Sequence, residues 1–488
     1  MINISKQRLV LIIIAILGIA VRFNVYFQNR SLRIDEANLA RNIVEKDYAD
    51  FFKPLDYQQY APPLFSATTK LLTRVFGTHE YSLKLLPFLG GVLSLVLLAQ
   101  ILNRVITIPP SRWYVLLLFA FSILAIRYGT EFKQYSTDAT LSLFFILWTL
   151  KCKDRGFTPA LSLSWALSGA LAIWFSMPVI FILASIGLAF FYQAWNKNKA
   201  NLKFVFCTSF FWFFSFGVYF FVLLYNDADT TALQDYHSPY FFDFFPTTKA
   251  SLTQSLTLLE SLFRLATDKT TISIIWAILT FTTGSVYLIK TKKLQAIILL
   301  APILFCLLAS HLNFYTLIER AILFMIPLIM VVIGIGLAVI WTKSNRALKV
   351  ILLIPILISI VNKGGYQYFW EKLEMEDSKS VMRYLAEKNT AEEFIYVHHG
   401  GVPAFVFYNQ MYDHAWGFQN YYLATWNEKP EGIIPGKVKS SSNDHFWLFF
   451  SHTNQEGVEE NLSSTANFAV ETEQYRSVEA SVYRYRVE

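Results

Sequence analysis

Long apolar runs joined by short polar connectors fill residues 1–362 of this chain, and short alternating segments follow them. A membrane span needs about 20 mostly apolar residues. Runs of that kind fall near 9–27, 81–103, 112–128, 137–152, 158–175, 177–195, 202–225, 271–290, 294–312, 319–341 and 347–362, which predicts a mainly α membrane protein with about 11 transmembrane helices. The fifth and sixth runs meet at "WFSMPV", where Pro178 breaks or kinks the chain. Lys6 and Arg8 precede the first run, but Arg22 and Asn24 stand where a small-residue cleavage site would be. That run is therefore expected to stay as the first span, with Arg22 snorkelling near its far end.

The connector at 28–80 has helical patterning of its own. "EANLARNIVEK" fits one helix, and "PPLFSATTKLLTRVFG" a second that starts at prolines and stops at Gly77. On the second, Leu64, Leu71, Leu72, Val75 and Phe76 share a face opposite Lys70 and Arg74, as on a helix lying along a membrane surface.

After residue 362 the period changes. "DSKSVMRYLAEKN" reads as an amphipathic helix with Val381, Met382 and Leu385 on one face. "EFIYVHH", "DHFWLFFSH" and "SVYRYRV" read as strands, with "VPAFVFYNQ" a helix after the Gly400–Gly401 turn. Two domains are expected: a multi-span domain over 1–362 and a small extracytoplasmic α/β domain over 363–488.

Composition agrees with this division. The chain has 488 residues, 54% of them hydrophobic and only 16% charged, with 44 Phe, which excludes an ordinary soluble enzyme. The net charge of +7 does not point to nucleic acid, because the basic residues lie in the connectors at 103–112, 151–155, 196–203, 290–293 and 342–346. These alternate with connectors at 28–80, 128–137, 226–270 and 311–319, so the positive-inside rule places the N-terminus in the cytoplasm of a multi-pass cell (inner) membrane protein and the C-terminal domain outside. Cys152, Cys207 and Cys306 all fall inside or within the membrane, leaving no external disulfide framework. The "HHGG" at 398–401 reads as a polar strand end, since neighbouring strand residues point to opposite faces, and no metal or other cofactor is expected.

The remaining charges concentrate at the outer mouth. Asp35 and Glu36 would point about 100° apart on a helix, so one of them faces any given substrate. Asp35 also fits a helix N-cap. "IRYGTEFKQYSTDATLSLFF" places Arg127, Glu131, Lys133, Tyr135 and Asp138 between two spans, where charges need partners or a watery cavity. Lys84 lies at the start of the second span, and Glu319 and Arg320 open a late one, the latter two compatible with a snorkelling pair. Acids and bases at the mouth, with few charges deeper, suit a reaction between a lipid phosphate and a hydroxyl. The cations hold the phosphate leaving group and a carboxylate takes the acceptor's proton. A transporter would instead place polar residues at the midplane and show repeat symmetry.

At these residues the chain resembles the multi-span GT-C glycosyltransferases that use polyprenyl-phosphate sugars, the class of protein O-mannosyltransferases and lipid A aminoarabinose transferases. "IDEANLARNI", "YAPPLF", "FGTHEYSLKLLP", "EFKQYSTDA" and "ERAILFMIP" match features of that class in order over about 330 residues. The resemblance implies a hexosyl or pentosyl transfer by a single inverting displacement. Asp35 would be the general base, and Glu131 would stand across the cavity. Lys84, Lys133 and Arg320 would hold the lipid phosphate, with Glu36, Arg127 and Tyr135 completing the binding set; Asp35 would face an outward cavity while Glu36 braces the first connector. The partners implied are a polyprenyl-phosphate sugar donor, membrane lipid, and a protein, glycolipid or polysaccharide acceptor. There is one departure: where the aminoarabinose transferases have an acidic residue and a lysine before the Pro-Pro-Leu helix, this chain has Tyr60 and Ala61. Two other readings stay open. One is a lipid-linked oligosaccharide ligase or polymerase using the 226–270 connector, where Tyr240, Phe241 and Phe242 are expected to anchor at the headgroups. The other is a non-enzymatic lipid-sugar transporter.

Overall fold

A computed structural model describes residues 6–152, 158–225, 235–389, 393–426, 428–438 and 444–488. The basic connector at 151–155 therefore lies partly outside the described residues, as does the start of the 226–270 connector. The first helices are α1 (Lys6–Phe27), α2 (Ile34–Glu45), α3 (Pro63–Phe76), α4 (Glu80–Val105), α5 (Pro109–Ala120) and α6 (Ile123–Tyr128). They continue with α7 (Tyr135–Cys152), α8 (Pro159–Phe175), α9 (Val179–Lys197), α10 (Leu202–Tyr219) and α11 (Lys249–Ala266). The late helices are α12 (Thr271–Thr291), α13 (Lys293–His311), α14 (Ile326–Lys343) and α15 (Arg346–Asn362).

Among the described residues seven helical stretches are long and apolar enough to cross a membrane: α1, α4, α9, the stretch Lys199–Leu224 around α10, α12, α13 and α14. The other four sequence-predicted runs coincide with α5–α6, α7, α8 and α15, which are shorter or more polar. The run at 112–128 is not one helix. It stops at Ala120 and restarts at Ile123. Arg22 packs against this break, which corrects the snorkelling expectation. Its side chain is fully enclosed, and the guanidinium donates to Ala120 O at 2.9 Å, Phe119 O at 3.2 Å and Gly18 O at 2.8 Å. A cation here adds bonds to the carbonyls at the C-terminal end of α5, where the helix dipole favours positive charge.

Helices α12 and α14 pack backbone to backbone. A Cβ on Gly336 would lie 2.8 Å from the Gly284 nitrogen and closer still to the Thr280 carbonyl. Membrane helices associate through small residues that allow such contact. Gly336→Val is expected to force the pair apart at a cost of about 1–3 kcal/mol or more, seen as a lower melting midpoint in detergent. Gly217→Ala, where the added methyl meets nothing within 4 Å, is expected to leave the midpoint unchanged or raise it.

The first connector is helical, as its pattern predicts. In α3 the apolar residues Leu71, Val75 and Phe76 face outward, while Phe65, Ser66, Thr69 and Lys70 are buried against the protein. Lys70 donates to Ile43 O at 2.8 Å and Val44 O at 3.2 Å, capping the C-terminal turn of α2. In the 226–270 connector, Phe242 is buried, its N–H bonded to Ser310 Oγ at 2.9 Å, and Tyr240 O accepts from Leu317 N at 2.9 Å. This segment packs on the end of α13 and the loop beyond it, where headgroup anchoring was expected. The partly exposed helix α11, unforeseen in the sequence, follows it.

The C-terminal domain has a five-stranded sheet in the order β2-β1-β3-β5-β4, with β1 (Phe394–Val397), β2 (Tyr421–Leu423), β3 (His445–Ser451), β4 (Ala469–Ser477) and β5 (Ala480–Val487). The first three strands are mutually parallel and the last two antiparallel. Its helices are α16 (Ser378–Lys388), α17 (Val402–Val406), α18 (Pro430–Val438) and α19 (Gln455–Thr465). Strand alternation divides the sheet residues between two cores. Ile395, Val397, Trp447 and Phe449 join one that also holds Leu39, Ile43, Phe65 and Leu83 of the first connector and α4. Tyr396, Leu448 and Tyr483 pack with Ile434 and Val438 in the other. The domain thus shares a core with the connector that bears Asp35 and Glu36.

Candidate active site

Arg33, in extended conformation, caps α2, so Asp35 and Glu36 are the second and third residues of the helix and Asp35 is not the cap. The free N–H groups of this first turn go to two carboxylates. Ile34 N donates to Glu376 Oε2 at 3.0 Å, and Arg33 N to Glu36 Oε2 at 3.1 Å. Glu376 belongs to the C-terminal domain's approach, and its other oxygen lies 2.7 Å from His452 Nδ1. Tyr408 adds a second clasp, accepting from Leu32 N at 2.8 Å and donating to Glu80 at 2.9 Å.

From this turn the two acids diverge. Glu36 points inward and is fully buried. Arg30 contacts its carboxylate at 2.8 and 3.3 Å, Phe132 N at 2.6 Å, and the Lys84 ammonium at 4.0 Å. Burial alone would raise this carboxyl, but the two cations and the Phe132 N–H outweigh it and hold it at about 2. Lys84 donates to Arg30 O at 2.7 Å and so fixes the turn before α2.

Asp35 points outward, its side chain 44% exposed, into a cavity of about 270 Å³. Arg320 Nη1 reaches its carboxylate at 3.3 Å. Lys133 lines the same cavity and donates to Gln59 Oε1 at 2.6 Å. Burial lowers the Lys133 pKa, an effect that Asp35 opposes. Tyr60 and Tyr219 share a hydrogen bond at the wall, and burial pushes the Tyr60 hydroxyl well up. Tyr135 and Asp138, from the first turn of α7, complete a surface with two cations and two carboxyl groups.

Of the residues singled out in the sequence, the structure gathers Asp35, Lys133, Tyr135, Asp138 and Arg320 around one cavity. Glu36 and Lys84 stand behind it as a buried pair. Glu131 does not stand across the cavity. It is nearly buried and needs a counter-charge, which Arg127 supplies from one turn away at 3.1 Å. Nor do Glu319 and Arg320 pair with each other, because Glu319 turns to Arg264 at 3.1 Å and leaves Arg320 to Asp35. The cavity also takes in Gln59, Gln134, His237, Tyr315 and Thr316, which sequence reading did not assign. Gln134 carried a usable signal, a polar group one turn before Asp138 where an apolar run begins. The histidines of "HHGG" do not diverge: the chain turns after His398 and their ring centroids lie 3.9 Å apart. Among the described residues no three His, Cys, Asp or Glu side chains are placed to hold a metal ion.

The architecture, helical spans with connector helices at one end and an appended α/β domain, has counterparts among solved structures. ArnT from Cupriavidus metallidurans bound to undecaprenyl phosphate superposes with a TM-score of 0.54 at 12% identity, covering 98% of this chain and 98% of that one. Its apo form gives 0.51 at 14% identity, covering 96% and 97%. No family model and no curated protein matches the sequence.

Proposed function

We propose that this protein is a membrane glycosyltransferase, moving a single sugar from a polyprenyl phosphate to an acceptor hydroxyl on the outer side of the membrane. The observation that carries this reading is the opposition of a half-exposed carboxylate, Asp35, to Arg320 and Lys133 in one cavity of a GT-C fold. Two cations in a confined site favour a phosphate. As the donor phosphate enters, Arg320 exchanges Asp35 for it, and Asp35 is freed to act as a base. The acceptor oxygen then attacks the anomeric carbon from the face opposite the phosphate. Its proton passes to Asp35, the bond from anomeric carbon to phosphate oxygen breaks, and polyprenyl phosphate leaves with its charge held by Arg320 and Lys133. The product anomer is inverted. Tyr135 and Asp138 line the space for the sugar, and Glu36 with Arg30 and Lys84 fixes the turn that aims Asp35. The 1–362 and 363–488 regions act as one catalytic unit, with the N-terminus cytoplasmic and the C-terminal domain outside.

The test is turnover of a panel of polyprenyl-phosphate hexoses and pentoses by the full chain in proteoliposomes. One donor is expected to be consumed with release of polyprenyl phosphate. Movement of lipid-linked sugar across the bilayer with no donor consumed would overturn the transferase reading in favour of transport. Transfer of whole oligosaccharides would favour the ligase.

A further inference from the structure

A second cavity, of about 830 Å³, opens in the C-terminal domain. Its place follows from the strand order. The chain leaves β1 for β2 on one side and then crosses to β3 on the other, all three parallel. Connections that depart in opposite directions from neighbouring parallel strands leave a crevice outside their carboxyl ends, and ligands bind at such switch points. The cavity lies there. His398 and His399 follow β1, Trp426 follows β2, and His452 and Thr453 follow β3. Its remaining edge is α2 itself, through Ile34 and Asn38, one on either side of Asp35.

The lining selects among ligand chemistries. Trp426 is 79% exposed, and its ring centroid lies 4.4 Å from that of His399, so a broad aromatic face is presented inside a polar crevice. The charged groups are already engaged: Lys429 with Glu460 at 2.8 Å, Glu428 with Thr425 N at 2.7 Å and Tyr422 Oη at 2.7 Å, and His452 with Glu376. A phosphate-rich ligand would need free cations, and an acyl chain would need more apolar wall than Ile34, Pro403 and Trp426 provide. Burial and the neighbouring His399 push His398 down to about 4, so its imidazole is neutral near pH 7. Thr453 Oγ1 and His398 Nδ1 bond each other at 3.0 Å, Asn454 Oδ1 accepts from Gly457 N at 2.9 Å, and Asn461 Nδ2 donates to Gly457 O at 2.7 Å. His398 Nε2, the Asn38 amide, Asn454 Nδ2 and Asn461 Oδ1 then offer donors and acceptors together. A pyranose ring needs that combination: its hydroxyls both donate and accept, while its C–H face stacks on an indole.

We infer that this crevice binds a saccharide stacked on Trp426, and that it is the acceptor subsite, so that the acceptor is a glycan. The acceptor role rests on the transferase reading, whereas the saccharide site does not. The crevice and the Asp35 turn are joined through Glu376, which bonds His452 on one side and Ile34 N on the other.

The test uses the full chain in nanodiscs without donor, probed by saturation-transfer NMR. The probes are short free oligosaccharides of neutral hexoses, N-acetylhexosamines and uronic acids, with inorganic phosphate and an unglycosylated Ser/Thr peptide alongside. At least one oligosaccharide is expected to bind, weakened about tenfold by Trp426→Ala and retained by Trp426→Phe. So exposed a side chain can be removed without unfolding the domain. In turnover, Trp426→Ala is expected to raise the acceptor KM about tenfold with kcat at saturation unchanged. Absence of saccharide binding, binding indifferent to Trp426, or Trp426-dependent binding of the peptide or phosphate instead would overturn the inference, even if the donor is consumed. Saccharide binding without donor consumption would leave the site standing and remove its acceptor role together with the transferase reading.

Discussion

Asp35→Asn is expected to lower turnover of the lipid-linked donor by about 10²–10⁴-fold, the range that a positioned general base contributes. The substitution keeps the shape of the side chain and removes its negative charge and its ability to accept a proton. It should leave the fold intact, because Asp35 is half exposed and the first-turn N–H groups are served by Glu36 and Glu376. Donor affinity should hold or rise, since Arg320 no longer has to leave a carboxylate to reach the phosphate. Single-turnover assays with wild type and variant in the same proteoliposomes, alongside melting curves, separate these effects. Near wild-type turnover in a folded variant would make Asp35 no more than a partner for Arg320.

Glu36→Gln should affect stability most. It preserves an acceptor for the Phe132 N–H but leaves Arg30 and Lys84 buried without their counter-charge. Removing one partner of a buried pair costs about 3–5 kcal/mol. The loss should appear as a lowered melting midpoint in detergent, and activity should fall because the turn before α2 loosens. The pH dependence gives the sign. The folded Glu36 carboxyl is held at about 2, below its unfolded value of about 4.3, so its stabilisation is complete above that value and is lost as pH falls through about 2. The gap between wild-type and variant midpoints should therefore be widest at neutral pH and narrow as pH drops from 5 toward 2. A gap that stays constant would mean that the carboxylate charge is not what holds the turn.

Much of this was written in local pattern. The apolar runs, the outward apolar face of α3, and the helix holding Val381, Met382 and Leu385 depend on periodicity within one element, which any window of sequence exposes. Short strands with little alternation were harder: β2 has three half-buried residues, and β4 alternates against a largely exposed face. The sequence could also name Asp35, Lys133, Tyr135 and Arg320, because charges beside apolar runs are conspicuous.

The choice of partner lay beyond it. Adjacent acids on one turn diverge by about 100°, and only packing against Arg30 and Phe132 decides that Glu36 is buried and Asp35 faces the cavity. The same holds for Arg22, which bonds the end of α5 far away in sequence, and for Glu131 and Glu319, each claimed by a different arginine. Sequence by itself determined a membrane-spanning chain with charged residues beside its apolar runs and an α/β tail. Tertiary structure alone decided which charges meet, because an ion pair depends on ångström distances between residues that can be hundreds of positions apart, as Asp35 and Arg320 are.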